Sequence, residues 1–207
     1  MRISVLVGSA RKNGLSSQVC DLLRQQFNSR NSSGHFIYLA EKNIEFCDAD
    51  NLCEQSPCRI TDDMPIIIRD LQASDGIIYM PVMHAYGTNS KFQAFLERAG
   101  YGYLRPMDRP LKDKIASIIV VGRRYGHTAA YGQIVLNIML NKMIMAGSGF
   151  PTLFMGMLGD ALNDSEALDS LEQTIDRMHA IYHRLNRSSM ISSNSYNATW
   201  PSNFDCQ

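Results

Sequence analysis

Five apolar runs punctuate the chain, at Ile3–Val7, Phe36–Leu39, Gly76–Met80, Ile115–Val121 and Thr152–Met157. Several are continuously apolar rather than alternating, the pattern of strands covered on both faces. Between and after them lie segments of helical spacing: Ser16–Phe27, Met64–Ala73, Ser90–Tyr101, Tyr131–Ala146 and Ser165–Leu185. In the last of these, Leu168, Leu171, Ile175, Met178, Ile181, Tyr182 and Leu185 form one buried stripe. Alternation of strand and helix predicts the α/β class: a doubly wound, five-stranded parallel sheet with helices on both faces. Ligands of such sheets sit outside the carboxyl ends of the strands, at the switch point. The loops after the first, third and fourth strands should therefore converge.

The 207 residues suit one domain over residues 1–187, with a Cys-rich insertion at 46–60. Residues 188–207 are rich in Ser and Asn, lack helical periodicity and read as a flexible tail. Trp200 and Phe204 offer that tail a way to pin itself to a neighbouring subunit. A formal net charge of zero argues against a nucleic-acid partner and a polybasic membrane anchor. No apolar stretch approaches the ~20 residues that span a bilayer. Met1 leads straight into a strand rather than a secretory leader, so a cytoplasmic protein is expected. The sequon at Asn197 then carries little weight.

The first strand ends abruptly in SARKNGLSS and the chain restarts as a helix. Bare backbone N–H groups at a helix start, aligned with the helix dipole, make a phosphate cradle. Ser9, Ser16 and Ser17 add hydroxyls, Asn13 an amide, and Arg11 a guanidinium able to grip phosphate oxygens in pairs. A Walker loop is excluded: Gly8 and Gly14 enclose five residues, and Leu15 stands where its lysine belongs. The dinucleotide fingerprint fails as well, because Ala10 and Asn13 occupy glycine positions. A loop suited to one phosphate monoester remains. The alternative is a plain turn in which Ser16 or Ser17 caps the helix with no ligand.

Loop three, PVMHAYGTNS, places the rings of His84 and Tyr86 near that cradle. Loop four, GRRYGHTAAYG, adds Gly122, Gly126 and the planar groups of Arg123, Arg124, Tyr125 and His127. A phosphate grip at one end with aromatic and backbone contacts at the other fits a flat heterocycle carrying a single phosphate.

The succession of a short Ser-rich loop, D-G-I-I-Y-M-P-V, F-x-x-F-L-E-R and a Gly-rich fourth loop resembles the flavodoxin-like NAD(P)H-dependent FMN reductases. Within that family the iron–sulfur flavoprotein branch is most similar, over about residues 1–185. The resemblance implies FMN with its phosphate on Ser9, Arg11, Asn13, Gly14, Ser16 and Ser17. It places the isoalloxazine against Pro81, Val82, Met83, His84, Ala85 and Tyr86, with Gly122, Arg123, Arg124, Tyr125, Gly126 and His127 opposite. It further implies hydride transfer from NAD(P)H through FMN to a flavin, quinone or other small acceptor, in a homodimer or tetramer. Backbone N–H groups and Arg124 would then steady negative charge on the flavin. Hydride transfer needs no obligatory side-chain acid or base, so no catalytic residue is singled out. The chain departs from the family at Met83, where an aromatic residue is common, and at Arg123-Arg124-Tyr125, where small residues are.

Cys47, Cys53 and Cys58 resemble the iron–sulfur flavoprotein pattern C-x2-C-x2-C-x4-C, with Asp50 in the second cysteine's place. That resemblance implies an iron–sulfur cluster on Cys47, Asp50, Cys53 and Cys58, and with it an electron-transfer protein as a second function. A relic of a lost cluster, a structural zinc site or free thiols are alternatives, since four thiolates are the rule. A third function is an FMN-binding module without turnover. Cys20 is expected to face the core and Cys206 to lie in the tail. His179 and His183 read as a solvated helix face. Asp62-Asp63 are expected to cap the Met64 helix, and NIMLNKMIMAG to be packing.

Overall fold

The computed structural model describes residues 1–100, 104 and 107–191, with side chains through 187. The tail from residue 192 onward, with the sequon at Asn197, Trp200, Phe204 and Cys206, lies outside the described residues, as does Tyr101. The elements run β1 (Arg2–Val7), α1 (Leu15–Ser29), β2 (Ser33–Tyr38), α2 (Met64–Gln72), β3 (Gly76–Met80), β4 (Met83–His84), β5 (Gly87–Thr88), α3 (Ser90–Gly100), β6 (Ile115–Gly122), α4 (His127–Leu140), β7 (Ile144–Met145), β8 (Thr152–Met155) and α5 (Ser165–Ile191).

The main sheet is parallel throughout, in the order β2-β1-β3-β6, with β7 and β8 both pairing the far side of β6. β7 meets Ile115–Ala116 at the start of β6, and β8 meets Ile119–Gly122 at its end. The fifth position of the sheet is thus shared by two short strands. Order reverses at β1, flanked by β2 and β3, which makes the β1/β3 end the switch point. This is the flavodoxin-like arrangement.

Both faces are covered, as the unbroken apolar runs of β1, β3 and β6 require. Alternate side chains serve alternate cores. Leu6, Ile77, Tyr79, Ile118 and Val120 join α2, α3 and α4, whereas Ile3, Val5, Ile78, Ile119 and Val121 join α1 and α5. Cys20 is buried in the second core, as expected.

Two expected elements shift. The helix expected over Tyr131–Ala146 runs instead from His127 to Leu140. It stops because the Asn141 amide turns back onto the Asn137 carbonyl at 3.0 Å and Lys142 takes a left-handed φ of 56°. The apolar residues that follow then pair with β6; over so apolar a run, helix and buried strand look alike. The Thr152–Met157 strand ends at Met155, and Gly156–Leu158 form a 3-10 turn. At α2, Asp62 Oδ1 accepts the Met64 N–H at 3.1 Å, but Asp63 does not cap; its Oδ2 accepts the Asn43 N–H at 2.8 Å.

Candidate functional site

Four loops meet beyond the carboxyl ends of the strands. The Gly8 N–H donates to the Met80 carbonyl at 2.9 Å, joining the ends of β1 and β3. A Cβ on Gly8 would lie 2.9 Å from Asn89 Oδ1 and 3.1 Å from the Val82 nitrogen, so only glycine lets loop three approach this closely. Val121 donates to the Pro81 carbonyl at 3.1 Å, which brings loop four alongside. Met157 donates to the Arg123 carbonyl at 2.9 Å, and Gly156 packs against Leu15 and Arg123. The convergence expected of loops one, three and four is present, and the loop after β8 joins it.

Loop one is a cradle without a side-chain cap. α1 begins at Leu15, and its N-cap is Gly14 in extended geometry, making no side-chain cap hydrogen bond. Ser16 and Ser17 therefore lie inside the first turn rather than capping it. The Ser9 and Ser16 side chains are buried, and Ser9 Oγ accepts the Arg11 N–H at 3.2 Å. Ser9, Arg11, Lys12, Ser16 and Ser17 line a cavity of about 340 Å³ that extends to Tyr38 and Glu41 at the end of β2. Asn13 and Gly14 are exposed and are not among its lining residues.

Loop three is a tight hairpin. β4 and β5 pair antiparallel around Ala85 and Tyr86, whose φ angles of 46° and 66° are both positive. Such two-residue turns favour Asn and Gly at these places, so the backbone here is strained. Pro81 is buried, Val82 and Met83 are half-buried, and His84, Ala85 and Tyr86 are exposed.

Loop four closes over the hairpin. Gly126 has φ 85°, and a Cβ there would lie 2.8 Å from the Tyr86 carbonyl oxygen. Gly122 is equally confined by Met83. Arg123, Arg124 and Tyr125 face outward. His127, expected among the residues against the isoalloxazine, is buried as the first residue of α4, its Nε2 3.2 Å from the Phe154 carbonyl oxygen. Met83, Ala85, Tyr86, Arg123, Arg124, Tyr125 and Met157 line a cleft of about 430 Å³ between the two loops.

The cysteines lie apart. Cys47, Asp50, Cys53 and Cys58 line one pocket between β2 and α2, roofed by Arg98 of α3. None of the three is in a disulfide, and all are half-buried. Asp50 is already engaged: Oδ2 accepts from Arg59 at 2.5 Å and Oδ1 accepts the Leu52 N–H at 3.0 Å. The Leu52 N–H and then the Arg59 guanidinium hold its carboxyl below the usual carboxylate range. Among the described residues no group of three or more His, Cys, Asp or Glu side chains is disposed to hold a metal ion. This applies equally to His179 and His183, where His179 Nε2 instead meets Ser32 Oγ at 3.2 Å.

Known proteins supply the deciding comparison, since the NADPH-dependent FMN reductase family model matches residues 1–156. The chain belongs to that family. An iron–sulfur flavoprotein of Methanocaldococcus jannaschii is 27% identical over 184 residues, covering 82% of this chain and 91% of the relative. One from Methanosarcina thermophila is 25% identical over 123 residues, 59% of this chain and 63% of its own length. Among solved structures, RosB with bound 8-demethyl-8-formylriboflavin-5'-phosphate matches with a TM-score of 0.72 at 11% identity, over 100% of this chain and 92% of RosB. FerB of Paracoccus denitrificans, a flavoenzyme NAD(P)H:(acceptor) oxidoreductase, matches with a TM-score of 0.62 at 14% identity, over 86% and 97%. At these identities the structural likeness establishes the fold. Family membership makes the protein an FMN-dependent oxidoreductase.

The cradle suits FMN: an uncapped helix start, buried hydroxyls and two cationic side chains are the donor set a phosphate monoester requires. The cysteine pocket does not suit a four-thiolate cluster, because its fourth position is a carboxylate tied to Arg59. Sequence reasoning missed Asn89, Gly156, Met157, Tyr38 and Glu41. Only the Gly-Thr-Asn-Ser run before α3 carried a local signal, and it reads equally as a helix start.

Proposed function

We propose that the protein draws reducing equivalents from NAD(P)H and passes them through FMN to a small acceptor. The observation carrying this reading is the meeting of the uncapped α1 start with the β4–β5 hairpin and loop four at the β1/β3 switch point. Ser9, Arg11, Asn13, Gly14, Ser16 and Ser17 hold the phosphate. Residues 81–86 and 122–126 receive the ring. When bound, FMN supplies the redox chemistry, accepting a hydride from NAD(P)H and delivering it onward. The chain's own part is to bind, orient and exclude water. Self-assembly into a homodimer or tetramer belongs to the same reading, supported by the exposed Leu136, Met139 and Leu140 of α4.

The test compares FMN with riboflavin by calorimetry and flavin fluorescence. Arg11→Ala should weaken FMN about tenfold and leave riboflavin unchanged, as loss of a charge-assisted contact predicts. Anaerobic NADPH or NADH should bleach the visible band of the bound flavin. A protein that binds neither flavin sinks the proposal. An electron carrier using a cluster is the second reading, favoured by the three cysteines in one pocket and by the iron–sulfur names of the relatives. The Asp50–Arg59 pair weighs against it.

A further inference from the structure

Cys53 and Cys58 border two cavities at once. One is the small pocket they share with Cys47 beneath Arg98, and the other is a groove of about 530 Å³ beside Pro65 and Met107. Cys47 borders only the first of them. The two sulfur-bearing residues therefore stand together where a closed pocket adjoins an open groove.

The backbone explains why they meet there. Left-handed φ angles of 56° at Ala49 and 57° at Asn51 curl the chain into a 3-10 turn over Leu52–Glu54. The Gln55 and Ser56 N–H groups both donate to the Leu52 carbonyl at 3.0 Å, and Ser56 Oγ donates to it at 3.2 Å. Pro57, with no N–H to continue the turn, ends it, and Cys58 comes back alongside. Cys58 Sγ then accepts from Arg98 Nη2 at 3.8 Å, and Arg98 is itself fixed by its buried pair with Asp62. Only Glu54, Gln55, Ser56 and Pro57 separate the two cysteines, and loop-closure entropy is smallest for short connections. A metal centre needs several ligands around one point, an arrangement absent among the described residues. A disulfide needs only two sulfurs.

We propose that Cys53 and Cys58 are a redox-active dithiol that exchanges with small-molecule disulfides entering the groove beside Pro65 and Met107. The volume of that groove falls within the range of small-molecule sites. One cysteine sulfur attacks the ligand's S–S bond, giving up its proton, and half of the ligand leaves as a thiol. The second cysteine, giving up its own proton, attacks the first cysteine's sulfur in this mixed disulfide, and the other half leaves as a thiol. The protein loses two electrons and two protons, and the ligand gains them. The flavin takes no part, so the proposal stands apart from the oxidoreductase reading.

Glutathione disulfide serves as the probe, and a Cys206→Ser background removes the fifth cysteine from the count. The reduced full chain is incubated with the probe, with and without FMN, then quenched in acid, alkylated and read by intact mass and peptide mapping. The expected product is lighter by two hydrogens, retains no glutathione, and has Cys53 joined to Cys58 while Cys20 and Cys47 are alkylated. Excess dithiothreitol should reopen the bridge, since exposed disulfides are the readily reduced ones. Cys53→Ser and Cys58→Ser can complete only the first half of the exchange, so each should stop at one attached glutathione per chain. Cys47→Ser should behave as the parent does. Circular dichroism checks the fold of each variant, and the parent measurement decides the matter even where a variant fails to fold. A parent chain that keeps all its thiols alkylatable, retains glutathione or bridges through Cys47 overturns the proposal. So does one whose loop thiols are shielded by bound iron.

Discussion

Arg98 and Asp62 form an ion pair hidden from solvent on both sides: Nη1 stands 2.7 Å from Oδ2, and the side chains are 1% and 0% exposed. The same guanidinium donates to the Glu45 carbonyl at 3.2 Å and reaches Cys58 Sγ at 3.8 Å. One side chain of α3 thus fastens both ends of the cysteine loop to the core.

Removing one partner of such a pair leaves the other charge buried and uncompensated. Arg98→Met should cost about 3–5 kcal/mol, read from the midpoint of urea unfolding. Adding Asp62→Asn should recover part of that loss. A double variant no more stable than the single one would contradict the account.

This pair also marks where sequence reading stops. β1, β3 and β6 were legible because strands buried on both faces are apolar without interruption, and α5 because its stripe repeats at helical spacing. The phosphate loop was legible because strand, turn and helix start are consecutive in the chain. Arg98 and Asp62 lie far apart in sequence, and nothing local to Arg98 distinguishes it from an exposed helix arginine. Asp50 was legible as the odd residue in a cysteine pattern, but its capture by Arg59 was not. Tyr86 and Tyr125 face each other only because two separate loops fold to one sheet end. The misread end of α4 has another cause: over Ile134–Ala146 apolar residues are so dense that strand and helix periods cannot be separated.

Cys20 should make the protein sensitive to alkali. Burial pushes its thiol from an ordinary 9.0 to about 11. Above the ordinary value the unfolded chain sheds this proton while the folded chain keeps it. Stability is therefore whole below pH 9 and falls as pH rises toward 11, by about 2–3 kcal/mol at ~1.4 kcal/mol per unit. Buried Tyr79, its hydroxyl also pushed upward, acts in the same sense. Cys20→Ala should be less stable at neutral pH yet lose less across this window, so that the two stability curves converge. Parallel curves would show that another group governs the alkaline limb.

Two glycines of loop one should behave oppositely. At Gly8 a methyl group would meet Asn89 Oδ1 at 2.9 Å, Phe92 at 3.0 Å and the Val82 nitrogen at 3.1 Å. Gly8→Ala should cost about 1–3 kcal/mol, as overpacked sites do, and weaken FMN uptake by separating loops one and three. At Gly14 nothing lies within 4 Å and the backbone is extended. Gly14→Ala should shift stability by no more than about 0.5 kcal/mol. Thermal unfolding of both variants checks the contrast.

The cysteine pocket yields the last prediction. Cys47, Cys53 and Cys58 line one cavity, so three soft side chains are close at hand, although their present arrangement does not gather them round a metal ion. The fourth position holds a hard carboxylate, and Arg59 lies 2.5 Å from it. A four-iron cluster favours four thiolates, and recruiting Asp50 would also mean breaking its contact with Arg59. Anaerobic reconstitution with iron and sulfide should therefore leave the parent protein with substoichiometric iron and little absorbance beyond the flavin bands. Asp50→Cys combined with Arg59→Gln supplies the missing thiolate and removes the competing cation. That variant should take up about four irons per chain with broad visible absorbance, in keeping with the four-thiolate rule. Full loading of the unaltered protein would show that Asp50 leaves Arg59 to serve as a ligand, and the electron-carrier reading would then replace the one favoured by the present geometry.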